Sequence, residues 1–175
     1  MAENQTISIV TGNPGKVREL EVMSLGRLKF QMLQLDLPEI QSLDLKEIVT
    51  DKLQRAYKEA ATPVIVDDVS AELENLNGLP GPFIKFFDQR LDGKALLTLA
   101  GEENAKVTIR CVVGYYDGSK MLFGEGSVIG SVVSPRGENG FGFDPIIMPD
   151  GETRTMSEMT AEEKLAISHR GKCFP

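Results

Sequence analysis

The feature that most constrains this chain is the apolar β-branched run Val64-Ile65-Val66, which is followed directly by Asp67 and Asp68. A run without polar alternation is typical of a strand that is buried on both faces, as in α/β proteins. We predict that this strand ends in the two carboxylates at a sheet edge, where α/β proteins hold their ligands. The alternative is that the two acids only open a solvated turn.

Length and composition indicate one soluble globular domain that spans residues 1–175. Hydrophobic residues make up 41% of the chain and charged residues 26%, which is ordinary for a protein with a substantial core. The net charge of −7 argues against nucleic acid as a partner, because non-specific binding needs a basic surface. A small anionic ligand needs only a local positive pocket, so this class of ligand stays open.

Targeting signals and cysteines narrow the class of protein further. The sequence shows neither a signal-like apolar start nor an apolar run of membrane-spanning length, so we expect a cytoplasmic protein without a membrane segment. Cys111 and Cys173 are far apart and form no Cys-x-x-Cys pair, which argues against metal or redox chemistry. Cys111 lies in an alternating strand pattern and is expected to be a buried small hydrophobe.

A strand, a glycine-containing turn and a helix are predicted near the start of the chain, with the strand at Thr6–Val10 and the turn at Thr11–Lys16. Asn13 is a good N-cap, and Pro14 suits the first helical position, where its missing N–H costs nothing. Free backbone N–H groups and the positive end of the helix dipole favour anions there, and Lys16 adds a charge. An anion-binding turn and a plain βα turn both fit this pattern, although the spacing of a P-loop is absent.

The second predicted strand, Phe30–Leu33, leads into a loop that contains Pro38 and Glu39. Pro38 lacks a backbone donor and so argues against a central strand that continues through this segment. Glu39 taken alone is most simply a solvated loop acid.

The clearest helical pattern covers residues 45–60, where apolar residues repeat at three- and four-residue spacing. Asp44 is the predicted N-cap, with Glu47 as its partner in a capping box. Lys52 falls on the apolar side of this helix. Its side chain either follows the apolar surface out to solvent or points its ammonium into a polar cleft.

Two short helices are predicted in the middle of the chain, at Phe83–Leu91 and Lys94–Ala100, with Gly101 as the C-cap of the second. The first carries an aromatic stripe at helical spacing. We expect this stripe to belong to the core rather than to a ligand site. Its members are Phe83, Phe86 and Phe87.

A β-rich segment follows these helices. Lys106–Tyr116 alternates in the manner of a long strand, and Asp117-Gly118 is a strong hairpin signal. Met121–Glu125 and Ser127–Ser134 are predicted as two further strands with a glycine break between them. A β-rich half after a βα-rich half predicts a mixed sheet in an α/β fold.

The last segment concentrates polar residues at a predicted helix. Thr160–Glu163 is a capping box that opens the helix, and Lys164 and Ser168 lie four residues apart on one face. His169, the only histidine, and Arg170 follow directly. A lone histidine is more often structural than catalytic, but this one stands between a serine and an arginine at a helix end.

Six motifs follow one another over nearly the whole chain: Thr11-Gly12-Asn13-x-x-Lys16, Asp36-Leu37-Pro38-Glu39, Val66-Asp67-Asp68, Gly78-Leu79-Pro80-Gly81-Pro82-Phe83-Ile84-Lys85, Phe141-Gly142-Phe143-Asp144-Pro145 and Ala161-Glu162-x-Lys164-x-Ala166-x-Ser168-His169-Arg170-Gly171. In these motifs and in their order the chain resembles the inosine triphosphate pyrophosphatase family. The fourth and sixth motifs are the most specific. Phe143 departs from the pattern, because the family more commonly has a tryptophan or a related aromatic residue there.

The resemblance implies an α/β fold in which helices flank an elongated mixed central sheet and a substrate cleft lies between two lobes. It implies hydrolysis of ITP, dITP and XTP between the α and β phosphates, which gives a nucleoside monophosphate and pyrophosphate. It further implies Mg²⁺ as the cofactor and a homodimer as the assembly.

The resemblance also implies roles for individual residues. Asp68 is the implied general base and, with Glu39, the implied metal ligand; Asp67 lies beside it with a less defined role. The implied substrate-binding residues are Thr11, Gly12, Asn13, Lys16 and Lys52 around the phosphates, Asp68, Val69 and Lys85 along the cleft, and Phe141, Gly142, Phe143, Asp144, Lys164, Ser168, His169 and Arg170 around the purine base and the remaining phosphate contacts.

These residue types suit the chemistry, because lysines and Mg²⁺ stabilise the charge that develops on a leaving pyrophosphate. The sequence leaves two alternative functions open. One is a Maf-like pyrophosphatase with a different base preference, and the other is a non-catalytic nucleotide-binding protein. Glu39 and Asp68 together argue against the second alternative, since a binding protein has no need of an acid that activates water.

Overall fold

The computed structural model describes residues 6–25, 27–91 and 95–173. Its strands and helices are β1 (Thr6–Val10), α1 (Pro14–Met23), β2 (Lys29–Leu33), α2 (Leu45–Ala60), β3 (Val64–Leu73), β4 (Pro80–Gly81), α3 (Ile84–Arg90), α4 (Ala95–Ala100), β5 (Ala105–Tyr116), β6 (Met121–Val132), β7 (Ile147–Pro149) and α5 (Ala161–Ile167). Lys94, the predicted first residue of α4, lies outside the described residues. Within the described ranges, no helix is long and apolar enough to cross a membrane.

The strands form one mixed sheet in the order β2-β1-β3-β5-β6-β7, with β4 paired to β3. The first three strands of this order run parallel, because helix crossovers join β1 to β2 and β2 to β3 along the chain. The remaining pairs are antiparallel. A tight turn joins β5 to β6, where the Asp117 N–H donates to the Lys120 carbonyl at 3.4 Å. The predicted mixed sheet with flanking helices is confirmed.

The central strand β3 is longer than predicted. The apolar run 64–66 is buried, as expected for a strand that is covered on both faces. The strand nevertheless continues through Asp67 and Asp68 to Leu73, so the prediction that it ends at the two acids is wrong. Its parallel neighbour β1 pairs with it only at the start of the strand, whereas β5 pairs with it throughout. A crevice therefore opens beside β3 where β1 ends at Val10.

Helices cover the two faces of the sheet unevenly. At one end, α2 packs on one face through Val49 and Leu53, and α1 packs on the opposite face through Leu20. A separate core at the other end joins α4 to the far halves of β3, β5 and β6. Because β3 and β5 run through both ends, the two clusters under α1 and α2 form one lobe of the sheet and the core under α4 forms the far lobe.

The α2 N-terminus differs from the prediction in one hydrogen bond. Asp44 caps the helix as predicted, since its carboxylate accepts from the Lys46 N–H at 2.8 Å. Glu47 does not complete a capping box with it. The Ser42 hydroxyl accepts from the Asp44 N–H at 3.0 Å and donates to Glu47 at 2.7 Å. Ser42 therefore mediates the contact that the capping box would have made directly.

The predicted break between two strands after residue 125 is wrong, because β6 is one strand of 12 residues paired with β5 throughout. Gly126 has a packing role instead. A Cβ on Gly126 would lie 2.2 Å from the His169 carbonyl oxygen. The glycine thus allows the helical turn Gly171–Cys173 to pack directly on the strand.

The prediction that the aromatic stripe of α3 belongs to the core is also wrong. Phe86 is 47% exposed and Phe87 is 40% exposed. In this helix of 7 residues, Ile84 is the one residue that is fully buried, and it packs in the core of the far lobe. The helix therefore anchors through an aliphatic side chain at its first turn and presents its aromatic residues outward.

Candidate active site

A cleft of about 720 Å³ lies where β3 passes the end of β1. Its walls are the turn after β1, the loop between β2 and α2, and the inner faces of β3 and α2. The predicted phosphate and metal residues line this cleft: Thr11, Gly12, Asn13, Lys16, Glu39, Lys52, Asp68 and Lys85. The cleft therefore brings together residues from four separate sequence motifs.

The turn after β1 is shaped by its own side chains. The Thr11 hydroxyl accepts from the Asn13 N–H at 3.0 Å, and the Asn13 amide oxygen accepts from the Gly15 N–H at 2.8 Å. Pro14 occupies the first turn of α1, as predicted. These bonds hold the N-terminus of a ten-residue helix toward the cleft, which gives that wall a positive helix-dipole end.

Glu39 and Asp68 converge on a single cation. Lys52 Nζ lies 2.6 Å from Asp68 Oδ2 and also forms an ion pair with Glu39 Oε2. Lys52 comes from the core-facing side of α2, one turn from the buried residues Ile48 and Ala56. Of the two alternatives for Lys52, the structure shows the one in which the ammonium points into a polar cleft.

The loop that carries Glu39 has no regular secondary structure, and its side chains alternate between partly buried and exposed positions. Leu35 and Leu37 pack against the α2 core, while Asp36 and Pro38 are exposed. Glu39 is thereby directed inward, and its side chain is 12% exposed. The simplest expectation for a lone loop acid, full solvation, does not hold here.

The charge state of Lys52 follows from this pairing. Burial lowers the pKa of Lys52, but Asp68 and Glu39 outweigh that effect, so its pKa lies above the ordinary value. Lys52 is therefore a permanent cation at physiological pH. Lys85, from α3, lies 3.7 Å from Glu39 but is 61% exposed, so this pair is weaker and screened by solvent.

Asp67 has a different environment from Asp68. It is buried, and its two oxygens accept from two cations, Lys16 at 2.9 Å and Arg170 at 2.8 Å. Burial raises the pKa of Asp67, but Lys16 and Arg170 more than offset this and hold its pKa well below the usual range. Asp67 is therefore ionised, and both of its oxygens are occupied by ion pairs with Lys16 and Arg170. Asp68 is the acid that remains for chemistry in the cleft.

Glu19, which the sequence did not single out, links Lys164 and Arg170. These two belong to the residues predicted around the purine base, which we call the base-side residues. The Glu19 oxygens lie 2.6 Å from Lys164 Nζ and 2.6 Å from Arg170 Nη1. Lys164 also contacts Asp144 at 2.7 Å. One sequence signal was available: Glu19 follows Lys16 by three residues and immediately precedes the buried Leu20, which places it on the packed face of α1.

Burial has marked effects on the titrating groups of this network. Burial raises the pKa of Asp144, although Lys164 partly counteracts this. Burial lowers the pKa of His169 well below its ordinary value, and the neighbouring Arg170 and Lys164 lower it further. His169 is therefore neutral at physiological pH. Among the buried side-chain polar atoms of the described residues, His169 Nδ1 is left without a hydrogen-bond partner.

The two predicted base-side aromatic residues are held in different ways. Phe141 lies against Gly15, where any Cβ would come within 2.4 Å of its ring, and Lys164 Nζ lies 4.6 Å from the ring centroid. Phe143 packs against the core of the far lobe, with its ring 6.4 Å from that of His169. Gly15 is thus required for the close approach of the Phe141 loop to α1.

The residues predicted around the purine base do not line this cleft, and neither does Val69. Val69 is a β3 residue whose side chain packs in the cores, so no loop follows Asp68 as a binding element. Ser168 is buried, and its hydroxyl accepts from the Gly171 N–H at 3.2 Å. Gly142 is an exposed loop residue at φ 61°. The structure therefore places these three near the site without direct access to the cleft.

The donor set of the cleft suits a hard divalent cation. Two carboxylates, Glu39 and Asp68, already meet around one positive group, and Mg²⁺ binds through one or two carboxylates completed by water and phosphate oxygens. Across residues 6–25, 27–91 and 95–173, no three acidic, histidine or cysteine side chains form a ready metal cage. A cation here would thus need oxygen ligands from a substrate or from water.

The two cysteines, which the sequence separates widely, meet in the structure. Both are buried, and the Cys173 thiol lies 3.5 Å from the Cys111 carbonyl oxygen. The Cys111 thiol is a small buried hydrophobe, as expected. Its hydrogen bond with Cys173 and its burial raise its pKa well above the ordinary value, so it is not a nucleophile at neutral pH.

Comparison with known proteins relates this geometry to a family. The Ham1 family model matches residues 7–175. A protein named dITP/XTP pyrophosphatase from Methanopyrus kandleri is 38% identical over 172 residues, which cover 96% of this chain and 92% of the relative. A protein named inosine triphosphate pyrophosphatase 2 from Trypanosoma cruzi is 38% identical over 177 residues, covering 99% and 90%.

Solved structures give the same result for the fold. The Ham1 protein of Staphylococcus aureus superposes with a TM-score of 0.75 at 27% identity, over 97% of this chain and 94% of that one. A HAM1 protein from Coxiella burnetii also gives a TM-score of 0.75, at 26% identity and the same coverage. The elongated mixed sheet is thus shared with these proteins over nearly its full extent.

Proposed function

Because the chain belongs to the Ham1 family, we propose that it hydrolyses the non-standard purine nucleoside triphosphates ITP, dITP and XTP to the monophosphate and pyrophosphate. The observation that carries the proposal is the convergence of Glu39 and Asp68 on one cation, in a cleft beside the N-terminus of α1. A helix terminus and lysines hold phosphates, and paired acids serve metal binding and water activation. This combination is expected of an enzyme rather than of a simple binding protein.

The charges of the cleft explain why a divalent cation is part of the proposal. Lys52 and Lys85 face Glu39 and Asp68, so the nearby positive and negative charges balance before any ligand binds. A triphosphate adds several negative charges to this balanced site. We therefore propose Mg²⁺ dependence, with Glu39 and Asp68 as the protein ligands. Bound there, Mg²⁺ would neutralise the phosphates and stabilise the leaving pyrophosphate.

In the proposed reaction, Asp68 accepts a proton from a water molecule that attacks the α phosphorus. The bond from that phosphorus to the bridging oxygen breaks, and pyrophosphate leaves with the electron pair. Asp68 suits this role because it faces the cleft and keeps one oxygen, Oδ1, that is bonded only to the N–H of Val69. Lys16, Lys52 and the α1 N-terminus stabilise the charge on the departing oxygens.

The proposed base selectivity rests on the buried polar groups beside Phe141. Neutral His169 offers one donor and one acceptor, and its unpartnered Nδ1 is costly to leave unsatisfied in the interior. A 6-oxo purine presents a different donor and acceptor pattern from adenine, and mismatched buried polar groups disfavour binding. Lys164 and Arg170, with Phe141 and Phe143, complete the surroundings that we assign to the base.

The test of the proposed reaction is to identify its products. With ITP and Mg²⁺, phosphorus NMR is expected to show IMP and pyrophosphate in equal amounts, without orthophosphate or IDP as early products. Release of orthophosphate would contradict cleavage at the α phosphorus. No product from any nucleotide would favour the non-catalytic binding protein. Omission of Mg²⁺, with a chelator present, is expected to stop the reaction.

The domain organisation and the location, which the sequence itself predicts, and the assembly, which the resemblance implies, are also proposals. We propose a single domain over residues 1–175, a cytoplasmic location and a homodimer. The exposed aromatic side chains of α3, Phe86 and Phe87, support the homodimer, because a partner would remove them from water. Light scattering on the intact protein measures the assembly, and a monomer mass at micromolar concentration would contradict the homodimer.

A further inference from the structure

Lys52 occupies the position between two carboxylates at which a metal ion would be expected. Its ammonium contacts Glu39 and Asp68 at once, and the side chains of all three residues are 15% exposed or less. We propose that Lys52 is a built-in counter-ion that competes with the divalent cation for these two acids in the nucleotide-free protein. This inference rests on the proposed function only in that Glu39 and Asp68 are taken as the metal ligands.

The need for such a counter-ion follows from the burial of the two acids. Two carboxylates that share one cation lie close together, and in a shielded cleft their repulsion is stronger than in water. Removal of one partner from a buried ion pair leaves an uncompensated charge, which is strongly unfavourable. The Lys52 ammonium, in contact with both acids, offsets their negative charges and holds them close together while no metal ion is bound.

The side chain of Lys52 is also able to leave this position. A lysine carries its charge on a flexible four-carbon stem, so a rotamer change moves the ammonium while the backbone of α2 stays fixed. Lys52 lines the same cleft as Lys16 and the turn after β1, so triphosphate oxygens bound there would offer it a new partner. A metal ion alone offers it none.

The two positions of Lys52 predict coupled binding. Without nucleotide, the metal ion must displace an ammonium from both of its ligands, so metal binding is weak. With a triphosphate present, Lys52 moves to the phosphates and the carboxylates become free for the metal ion. Each ligand then raises the affinity for the other, as linkage requires. The lysine thus opposes the metal ion in the free protein and supports the nucleotide in the complex.

The experiment compares Mn²⁺ binding to three folded proteins without nucleotide, by electron paramagnetic resonance of free Mn²⁺. The proteins are the wild type, Lys52→Met and Lys58→Met. Lys58 is an exposed lysine about 9 Å further along α2, so its substitution removes the same charge from the same helix. Lys52→Met is expected to bind Mn²⁺ about tenfold more tightly than the wild type or more, while Lys58→Met changes the affinity less than about twofold.

Unchanged or weaker Mn²⁺ binding by Lys52→Met would overturn the proposal, since a lysine that merely supports the fold would not hold the metal ion off. If Lys52→Met does not fold, Lys52→Gln is the second variant, because it retains a hydrogen-bond donor at this position without a charge. The same rise in affinity is expected for it, and no rise would again contradict the inference.

A second titration uses a non-hydrolysable ITP analogue with a methylene group between the α and β phosphates. The order of affinities is expected to be the reverse of that for Mn²⁺. Lys52→Met is expected to bind the analogue about tenfold more weakly than the wild type. The Mn²⁺ readout needs no turnover. A protein that fails to hydrolyse ITP but binds Mn²⁺ more tightly on loss of Lys52 would contradict the proposed reaction and support this inference. A protein that hydrolyses ITP but shows no tighter Mn²⁺ binding on loss of Lys52 would support the proposed reaction and contradict this inference.

Discussion

Asp67 and Asp68 are neighbours in the chain, yet their carboxylates lie on opposite faces of β3. Asp67 meets Lys16 and Arg170 on the face covered by α1, and Asp68 meets Lys52 on the face covered by α2. The cause is the strand itself, because successive side chains in a β-strand point to opposite faces. A turn at this point would not have separated them. One acid is therefore available to anchor the fold and the other to act in the cleft.

The first prediction concerns the acid in the cleft. Asp68→Asn is expected to lower kcat for ITP by at least about 100-fold, because an amide does not accept the proton of the attacking water. Nucleotide binding is expected to persist within a few-fold, as measured by calorimetric titration in the absence of turnover. The check is a steady-state pyrophosphate-release assay, and a variant that keeps wild-type kcat would mean that another residue is the base.

The second prediction concerns the anchoring acid. Asp67→Asn is expected to lower the free energy of unfolding by about 3–5 kcal/mol, because it removes the acid of Lys16 and leaves the buried Arg170 with Glu19 alone. Urea denaturation at neutral pH measures the change. The matched control is Asp51→Asn, which breaks an exposed i,i+4 pair with Arg55 and is expected to cost less than about 1 kcal/mol.

The pH dependence of Asp67 has a defined sign. Its pKa in the folded protein is lowered, so the stabilisation is fully present above the ordinary unfolded value near about 4 and is lost as the pH falls below it. The stability difference between the wild type and Asp67→Asn is therefore expected to narrow below about pH 4. A constant difference between pH 7 and pH 3 would contradict this assignment.

The third prediction concerns Phe143. Phe143→Ala is expected to raise KM for ITP more than it lowers kcat, since stacking on the base contributes to binding rather than to the bond-breaking step. Some stability is also expected to be lost, because the ring packs against the core of the far lobe. Initial rates measured at a temperature where circular dichroism shows the variant to be folded separate the two effects. An unchanged KM would remove Phe143 from the base pocket.

The fourth prediction uses the only histidine of the chain. The pKa of His169 in the folded protein lies well below its ordinary value, whereas the unfolded chain takes up a proton near about pH 6.5. Its contribution to stability is therefore complete above that pH and is lost as the pH falls through it. Between pH 7.5 and 5.5 the wild type is expected to lose about 1 kcal/mol more stability than His169→Gln. Parallel curves would contradict a buried neutral histidine.

Local signals predicted the fold well where one principle acted alone. The Asn13 and Asp44 caps were confirmed, because a short polar side chain before an apolar helical pattern has few other roles. The hairpin at residues 117–120 was also confirmed, because an Asp-Gly pair between two alternating patterns favours a tight β-turn. The end of β3 was wrong, because pairing with β5 over ten residues overrode the low strand propensity of two adjacent acids.

The candidate site was predictable as a set of residues but not as a set of contacts. Motif order identified most of the phosphate and metal residues that line the cleft, whereas the sharing of Lys52 between Glu39 and Asp68 depends on three segments that the sequence separates. Glu19 was missed because its partners, Lys164 and Arg170, lie almost the whole chain away. Long-range ion pairs of this kind leave no local periodicity to detect.

The most direct test of the proposed function is the ratio of kcat/KM values for ITP, XTP, ATP, GTP and dTTP with Mg²⁺, measured by pyrophosphate release. We predict that ITP and XTP exceed ATP, GTP and dTTP by at least about 100-fold, as expected when buried polar groups reject a mismatched base. A kcat/KM for dTTP equal to or above that for ITP would contradict the proposed substrate class and favour the Maf-like alternative.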